Sequence, residues 1–301
     1  MFIFVAKTSK RRLQMPTGLK TFDLPINQES AFSNHKNIYK RRLEKQQTKF
    51  LNKLTPIKPF FKEGEKILLV APACSPMTLL EQFLAGYWIF YIKRAILIFT
   101  DRRILHIPTK SDYSYKNSIA QIMHGDLQEI NLKGKSLICK YKAGKKETFH
   151  SVGVNLKKIK TVIESISIGG PMSDSKRRTH ICPRCGAQLQ KNKYVCPKCR
   201  LIFKNKKEAT KISWIYPGGG YFYVRHPFLG VFDAITEIAL LTIVVAAFII
   251  LWGGDEAAAA PLVIFGFALA YEKLITVYEA KHFIEEYIPV DTNFRVQIAG
   301  K

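Results

Sequence analysis

The stretch ITEIALLTIVVAAFIILW, residues 235–252, decides the architecture. It runs 18 residues with one charge, Glu237, near its entrance. At about 1.5 Å rise per residue it spans roughly 27 Å, close to the ~30 Å hydrocarbon core of a bilayer. A second apolar run, 257–271, follows after only Gly253, Gly254, Asp255 and Glu256. The pair predicts a two-helix transmembrane hairpin over 231–281, and the rest of the chain becomes what that hairpin holds at a membrane surface.

Immediately upstream, 211–226 reads KISWIYPGGGYFYVRH. The apolar part, 212–224, is too short to span. Trp214, Tyr216, Tyr221 and Tyr223 suit the headgroup zone, and Pro217–Gly220 is a sharp break, so 204–230 is expected to be a juxtamembrane, interfacial or partly re-entrant segment. Pro217, Gly218, Gly220, Tyr221, Phe222, Tyr223, Arg225 and Gly230 make 212–280 resemble TM2-like membrane modules. The sequence departs from that pattern at Val224-Arg225-His226-Pro227. Asp233 and Glu237 are expected to face Lys273 across the antiparallel spans, as anchoring charges. Gly266, Ala268 and Ala270 are expected to permit close helix approach.

The chain holds 47 Lys+Arg against 23 Asp+Glu, a formal charge of +24. Most of that excess precedes the first span. The tip carries only Asp255 and Glu256, while Lys273, Lys281 and Arg295 follow the second. The positive-inside rule therefore places both termini, including the tail 282–301, in the cytoplasm of a two-pass inner-membrane protein. Anionic lipid or membrane topology accounts for the charge more simply than nucleic acid. The start, MFIFVA followed by Lys10, Arg11 and Arg12, does not read as a secretory signal.

Four of six cysteines crowd into 182–199 as Cys182-Pro-Arg-Cys185 and Cys196-Pro-Lys-Cys199. Two CxxC turns can complete a tetrahedron of thiolate, which suits one structural Zn²⁺ and leaves no open position for catalysis. Disulfides, a redox pair or an iron–sulfur centre are the alternatives, disfavoured by a reducing cytosol and the lack of a surrounding βαβ pattern. Gly186 can take the positive φ that such a turn needs. This segment, 180–203, resembles a zinc ribbon. His180 reads as a surface residue rather than a fifth ligand, and Cys74 and Cys139 stand alone. Lys191, Lys193, Lys198, Arg200, Lys204, Lys206 and Lys207 would suit a phosphate backbone, but Tyr194 and Phe203 are sparse as stacking platforms.

The basic N-terminal extension, 1–59, is expected to be partly helical or disordered. Tyr39, Leu43, Phe50 and Leu54 recur at helical spacing within 37–54, although Gln46 and Gln47 thin the apolar face. From residue 60 short β-like runs follow: 66–70, 87–92, 95–100, 104–108, 129–132, 137–141 and 147–152, with turns at 133–135 and 143–146. Lys93 and Arg94 are assigned to a strand turn, because charges there would be costly in a membrane span. A helix over 155–167 follows, with Leu156, Ile159, Val162, Ile163 and Ile166 on one stripe.

The runs EGEKILLV (63–70) and AILIFTDRRILHI (95–107), with the LysGlyLys and AlaGlyLysLysGlu turns, resemble bacterial PH-like domains over 60–167. The resemblance implies a β-rich barrel closed by a C-terminal helix. It transfers no phosphoinositide site, and Arg102 and Arg103 read as solvated turn charges. A linker, 168–179, joins this domain to the ribbon.

The sequence thus predicts a multidomain chain of PH-like barrel, small zinc ribbon and transmembrane hairpin. It carries no P-loop, HExxH motif or nucleophile elbow. The expected function is a non-enzymatic, membrane-anchored adaptor that binds a cytosolic protein or anionic lipid. A membrane-tethered nucleic-acid- or ribosome-binding protein is the alternative, and an accessory transporter subunit is a third, weaker one.

Overall fold

A computed structural model describes residues 22–153, 155–166, 168–169, 172–173, 175–291, 293–294 and 296–297. Residues 1–21 of the basic extension, Gly170, Pro171 and Asp174 of the linker, and Arg295 lie outside them. In chain order the elements are α1 (Gln28–Ala31), α2 (Arg41–Lys53), β1 (Ile67–Cys74), α3 (Leu79–Ala85), α4 (Ile89–Ile92), β2 (Arg94–Thr100), β3 (Arg103–Pro108), β4 (Ile119–Met123), β5 (Leu127–Lys133), β6 (Ser136–Tyr141) and β7 (Lys146–Phe149). They continue with α5 (Leu156–Ser165), β8 (Thr179–Ile181), α6 (Lys206–Ile215), α7 (Gly219–Tyr223), α8 (Pro227–Trp252) and α9 (Ala259–Ile284). The strands form a five-stranded sheet, β1-β2-β3-β4-β8, and a three-stranded sheet, β5-β6-β7. The expected closed barrel is therefore corrected: the strands divide between two sheets.

The chain divides into two compact units, one of Met1–Ser75, Ala95–His106 and Ile122–Arg177, the other of Pro76–Arg94, Ile107–Gln121 and Arg178–Lys301. The first unit has a core of Leu69, Leu97, Phe99, Leu137, Tyr141 and Phe149, onto which α5 presses Ile159, Val162 and Ile163. That is the stripe its spacing predicts, and Asn155 caps the helix by accepting from the Lys158 N–H. Each such aliphatic side chain taken from water contributes about 1.5–3 kcal/mol. Helix α2 joins this unit through Phe50 and Leu51, and through Gln47, which is fully buried. The Gln47 amide donates to the Val70 carbonyl at 2.7 Å and accepts from the Val70 N–H at 2.9 Å. The residue that thins the apolar face in sequence thus pairs with β1 as a neighbouring strand would.

The β2–β3 turn forms as expected, but Arg103 is not a solvated turn charge. It is 3% exposed and forks onto Glu65, with Nε donating to Oε1 at 2.9 Å and Nη2 to Oε2 at 2.8 Å. Thr100 Oγ1 also donates to Glu65, and Nη2 donates to the Phe60 carbonyl. Only Arg102 is exposed.

His124 is buried beside this corner, and its Nε2 has no hydrogen-bond partner. Burial pushes its pKa down to about 4 from 6.5, against a smaller pull from Asp101 and Glu65. An unfolded chain takes up this proton near pH 6.5 and the folded one only near pH 4. Stability of this unit is therefore expected to fall as pH drops across that window. Urea midpoints at several pH values should show a shallower acid slope for His124→Phe than for the parent.

In the second unit, 87–92, expected as a strand, is helical instead, following helix α3. Thr78 and Glu81 form a reciprocal capping box at the start of α3. Lys93 does not sit at a strand turn. It is buried and donates to Glu81 at 2.6 Å, so its charge is neutralised inside the unit.

Candidate metal centre and membrane hairpin

The two CxxC turns repeat one backbone pattern. Gly186 N–H donates to the Cys182 carbonyl at 2.9 Å, and Arg200 N–H to the Cys196 carbonyl at 3.1 Å. Cys182 N–H reaches the Ala187 carbonyl as Cys196 N–H reaches that of Leu201. The residue after each second cysteine has positive φ, +70° at Gly186 and +59° at Arg200. Glycine adopts this freely, whereas arginine pays roughly 1–2 kcal/mol.

The four sulfurs converge. All lie within 4.8 Å of one another, with Cys182–Cys199 at 3.5 Å and Cys185–Cys196 at 3.6 Å. A tetrahedron of thiolates around an ion at about 2.3 Å has edges near 3.8 Å, whereas a disulfide needs about 2.05 Å. The set can hold one metal ion. Burial raises the pKa of Cys185 to about 11 and pushes Cys182 up as well. Burial acts the same way on Cys196, but N–H donors from Cys199 and Lys198 outweigh it and lower that thiol. Burial thus resists ionisation of Cys182 and Cys185, and a bound dication would reverse that balance.

The four-cysteine segment packs on the residues that follow α9. Cys182, Cys196, Leu201 and Phe203 form one cluster with Tyr287. The Tyr287 hydroxyl donates to the Gln190 carbonyl at 2.6 Å, and its ring lies 4.9 Å from that of His180. His180 is therefore half-buried against an aromatic ring and is not a plain surface residue. Its place is outside the four-sulfur group.

Helices α8 and α9 are long and apolar enough to cross a membrane, with 11% and 6% of their most apolar windows buried. A core helix of comparable composition would be mostly covered. Uncovered side chains include Ile235, Ile238, Phe248, Ile264, Phe267 and Leu274. About 20 residues, the length that crosses the hydrocarbon, counted from the tip reach Asp233 on α8 and Thr276 on α9. Those two side chains meet there: Thr276 Oγ1 donates to both Asp233 oxygens at 3.0 and 3.1 Å. One turn inside, Lys273 Nζ donates to Glu237 at 2.7 Å and to the Ser213 carbonyl at 2.8 Å. Glu237 faces Lys273 as expected, while Asp233 takes Thr276 instead.

The Pro-Gly break folds back between these helices. After α6 the chain turns at Gly218 (φ +67°) and enters the short α7. Gly218 N–H donates to Glu237 at 3.3 Å, and Tyr221 is buried with its hydroxyl donating to Glu279 at 2.5 Å. Tyr221 is thus packed inside the unit, whereas Trp214 and Tyr216 are exposed. Arg225, at φ +65°, donates to the carbonyls of Pro289 and Val290. His226 stacks 4.4 Å from Phe283.

Close approach rests on glycines other than Gly266, which has nothing near it. A Cβ on Gly218 would overlap the Gly230 carbonyl, one on Gly220 would overlap Ser213 Oγ, and one on Gly230 would press on the Phe222 ring at 2.9 Å. Backbone at Gly218 cannot yield as a side chain can. Gly218→Ala is expected to destabilise the membrane unit by about 1–3 kcal/mol, the usual cost of overpacking, while Gly266→Ala is neutral. Thermal unfolding of the two variants in detergent makes that comparison. Neither protein-family models, curated proteins nor solved structures give a match to this chain.

Proposed function

We propose that this chain is a non-enzymatic, two-pass membrane adaptor with a structural zinc ion on Cys182, Cys185, Cys196 and Cys199. The zinc ties two backbone turns together and offers no open coordination position. The reading rests chiefly on the pair α8 and α9, whose apolar faces are uncovered over the length of a bilayer. The packing of Gly218, Gly220 and Gly230 supports a TM2-like module, and α5 closing on the first unit's core supports a PH-like domain built from open sheets. Both are bacterial-type readings, and with them the cytoplasmic membrane is the location we favour.

Reduced thiols and the lysine-rich flanks support cytoplasmic termini. The working surface is then cytosolic and binds a protein partner or anionic lipid. The nucleic-acid alternative is weakened at the ribbon, because Phe203 is fully buried and Tyr194 packs into the same cluster. Without free rings the basic residues lack a stacking platform. In intact cells expressing the chain with an N-terminal tag, external protease is expected to leave the tag intact until the membrane is permeabilised. Cleavage from outside would overturn the topology.

A further inference from the structure

The segment 79–91 presents several large apolar side chains to the outside of its unit. Leu79 is 83% exposed, Phe83 81% and Tyr87 86%, with Leu80 and Tyr91 also open. A soluble surface rarely gathers so many large apolar groups over thirteen residues. Their position relative to α9 indicates what covers them. Thr78 Oγ1 lies 3.4 Å from the Tyr278 hydroxyl, and Glu81, three residues on, is ion-paired to Lys93. The Lys93 ammonium stands 5.4 Å over the Phe283 ring. Tyr278 and Phe283 lie just beyond Thr276, where the hydrocarbon length counted from the hairpin tip runs out. The segment is therefore fastened to α9 at headgroup depth.

We propose that α3 and the turn after it form a second interfacial anchor, with Leu79, Phe83 and Tyr87 inserted into the bilayer beside the hairpin. The segment is held beside α9 through Thr78 and Lys93, and its chemistry fits that depth. Aromatic rings concentrate at membrane interfaces, and amphipathic helical turns insert their apolar side there. The basic group suited to lipid phosphate is present as well, since Arg94 stacks 4.3 Å over Tyr91. The inference rests on the hairpin spanning a membrane.

The test is photocrosslinking of the full chain in nanodiscs of phosphatidylcholine and phosphatidylglycerol. Benzoylphenylalanine is placed at Phe83, at Phe248 on the uncovered side of α8, or at the exposed Lys110. Lipid adducts are expected at Phe83 and Phe248 and not at Lys110. Adducts to lipid at Phe248 with only peptide adducts, or none, at Phe83 would overturn the anchor and leave the hairpin standing. A peptide adduct identified as a second copy of the chain would assign the patch to self-association instead. Absence of lipid adducts at Phe248 would overturn both readings.

Discussion

Cys196→Ser is expected to abolish the zinc binding proposed for the four cysteines and to unfold 180–203, the largest single effect predicted for this chain. Structural zinc supplies roughly 10–16 kcal/mol of apparent binding free energy in small domains, and that free energy is folding free energy. Beyond the pairing of β8 with β4, the segment 180–203 has little else to hold it. Its core is a few residues around the cysteines, with Leu189, Leu201, Phe203 and Tyr287. Serine cannot match thiolate as a zinc ligand, and the remaining three sulfurs would sit in a site built for four. Because Tyr287 belongs to the same cluster, the loss should propagate into 285–290, where Lys204 N–H donates to the Ile288 carbonyl at 2.9 Å. Elemental analysis should give one zinc per parent chain and almost none in the variant. Hydrogen exchange should rise at 180–203 and at 285–290. Full zinc retention in the variant, or iron in the parent, would refute the assignment.

Arg103→Met carries the second large effect, about 3–5 kcal/mol against the first unit, because it leaves the Glu65 carboxylate buried without its cation. The fork-on-fork geometry makes lysine a poor substitute. Adding Glu65→Gln to Arg103→Met should recover part of the loss, since the stranded charge is then gone. Burial alone would raise the Glu65 pKa, but Arg103, the Lys62 N–H and Thr100 outweigh it and hold the carboxyl below its ordinary 4.5. Its stabilising contribution is thus complete above that pH and is lost as pH falls through the lowered value. Urea unfolding of the single and double variants at neutral pH gives both numbers. Equal losses in the two would mean that the stranded charge is not what costs.

Local signals in the sequence were legible where the partners are close. The CxxC turns, the α5 stripe, the turns of β5–β7 and the length of the hairpin all come from spacings of a few residues. The failures share a different origin. Arg103 reads as a turn charge because its partner, Glu65, is 38 residues earlier. Gln47 reads as a flaw in a helix because its pairing with Val70 lies 23 residues away. The run 87–92 reads as a strand because Tyr, Trp, Phe and Ile favour extended backbone. One signal there was available: Thr78-Leu-Leu-Glu81 matches a helix capping box. The glycines at 218, 220 and 230 could be recognised as a break, but their role in close packing depends on which helices meet.

Whether α8 and α9 cross a bilayer is read out by alkaline carbonate extraction of membranes from cells expressing the full chain. The predicted result is retention in the membrane pellet at high pH and release only by detergent. Release of the chain into the carbonate supernatant would contradict it.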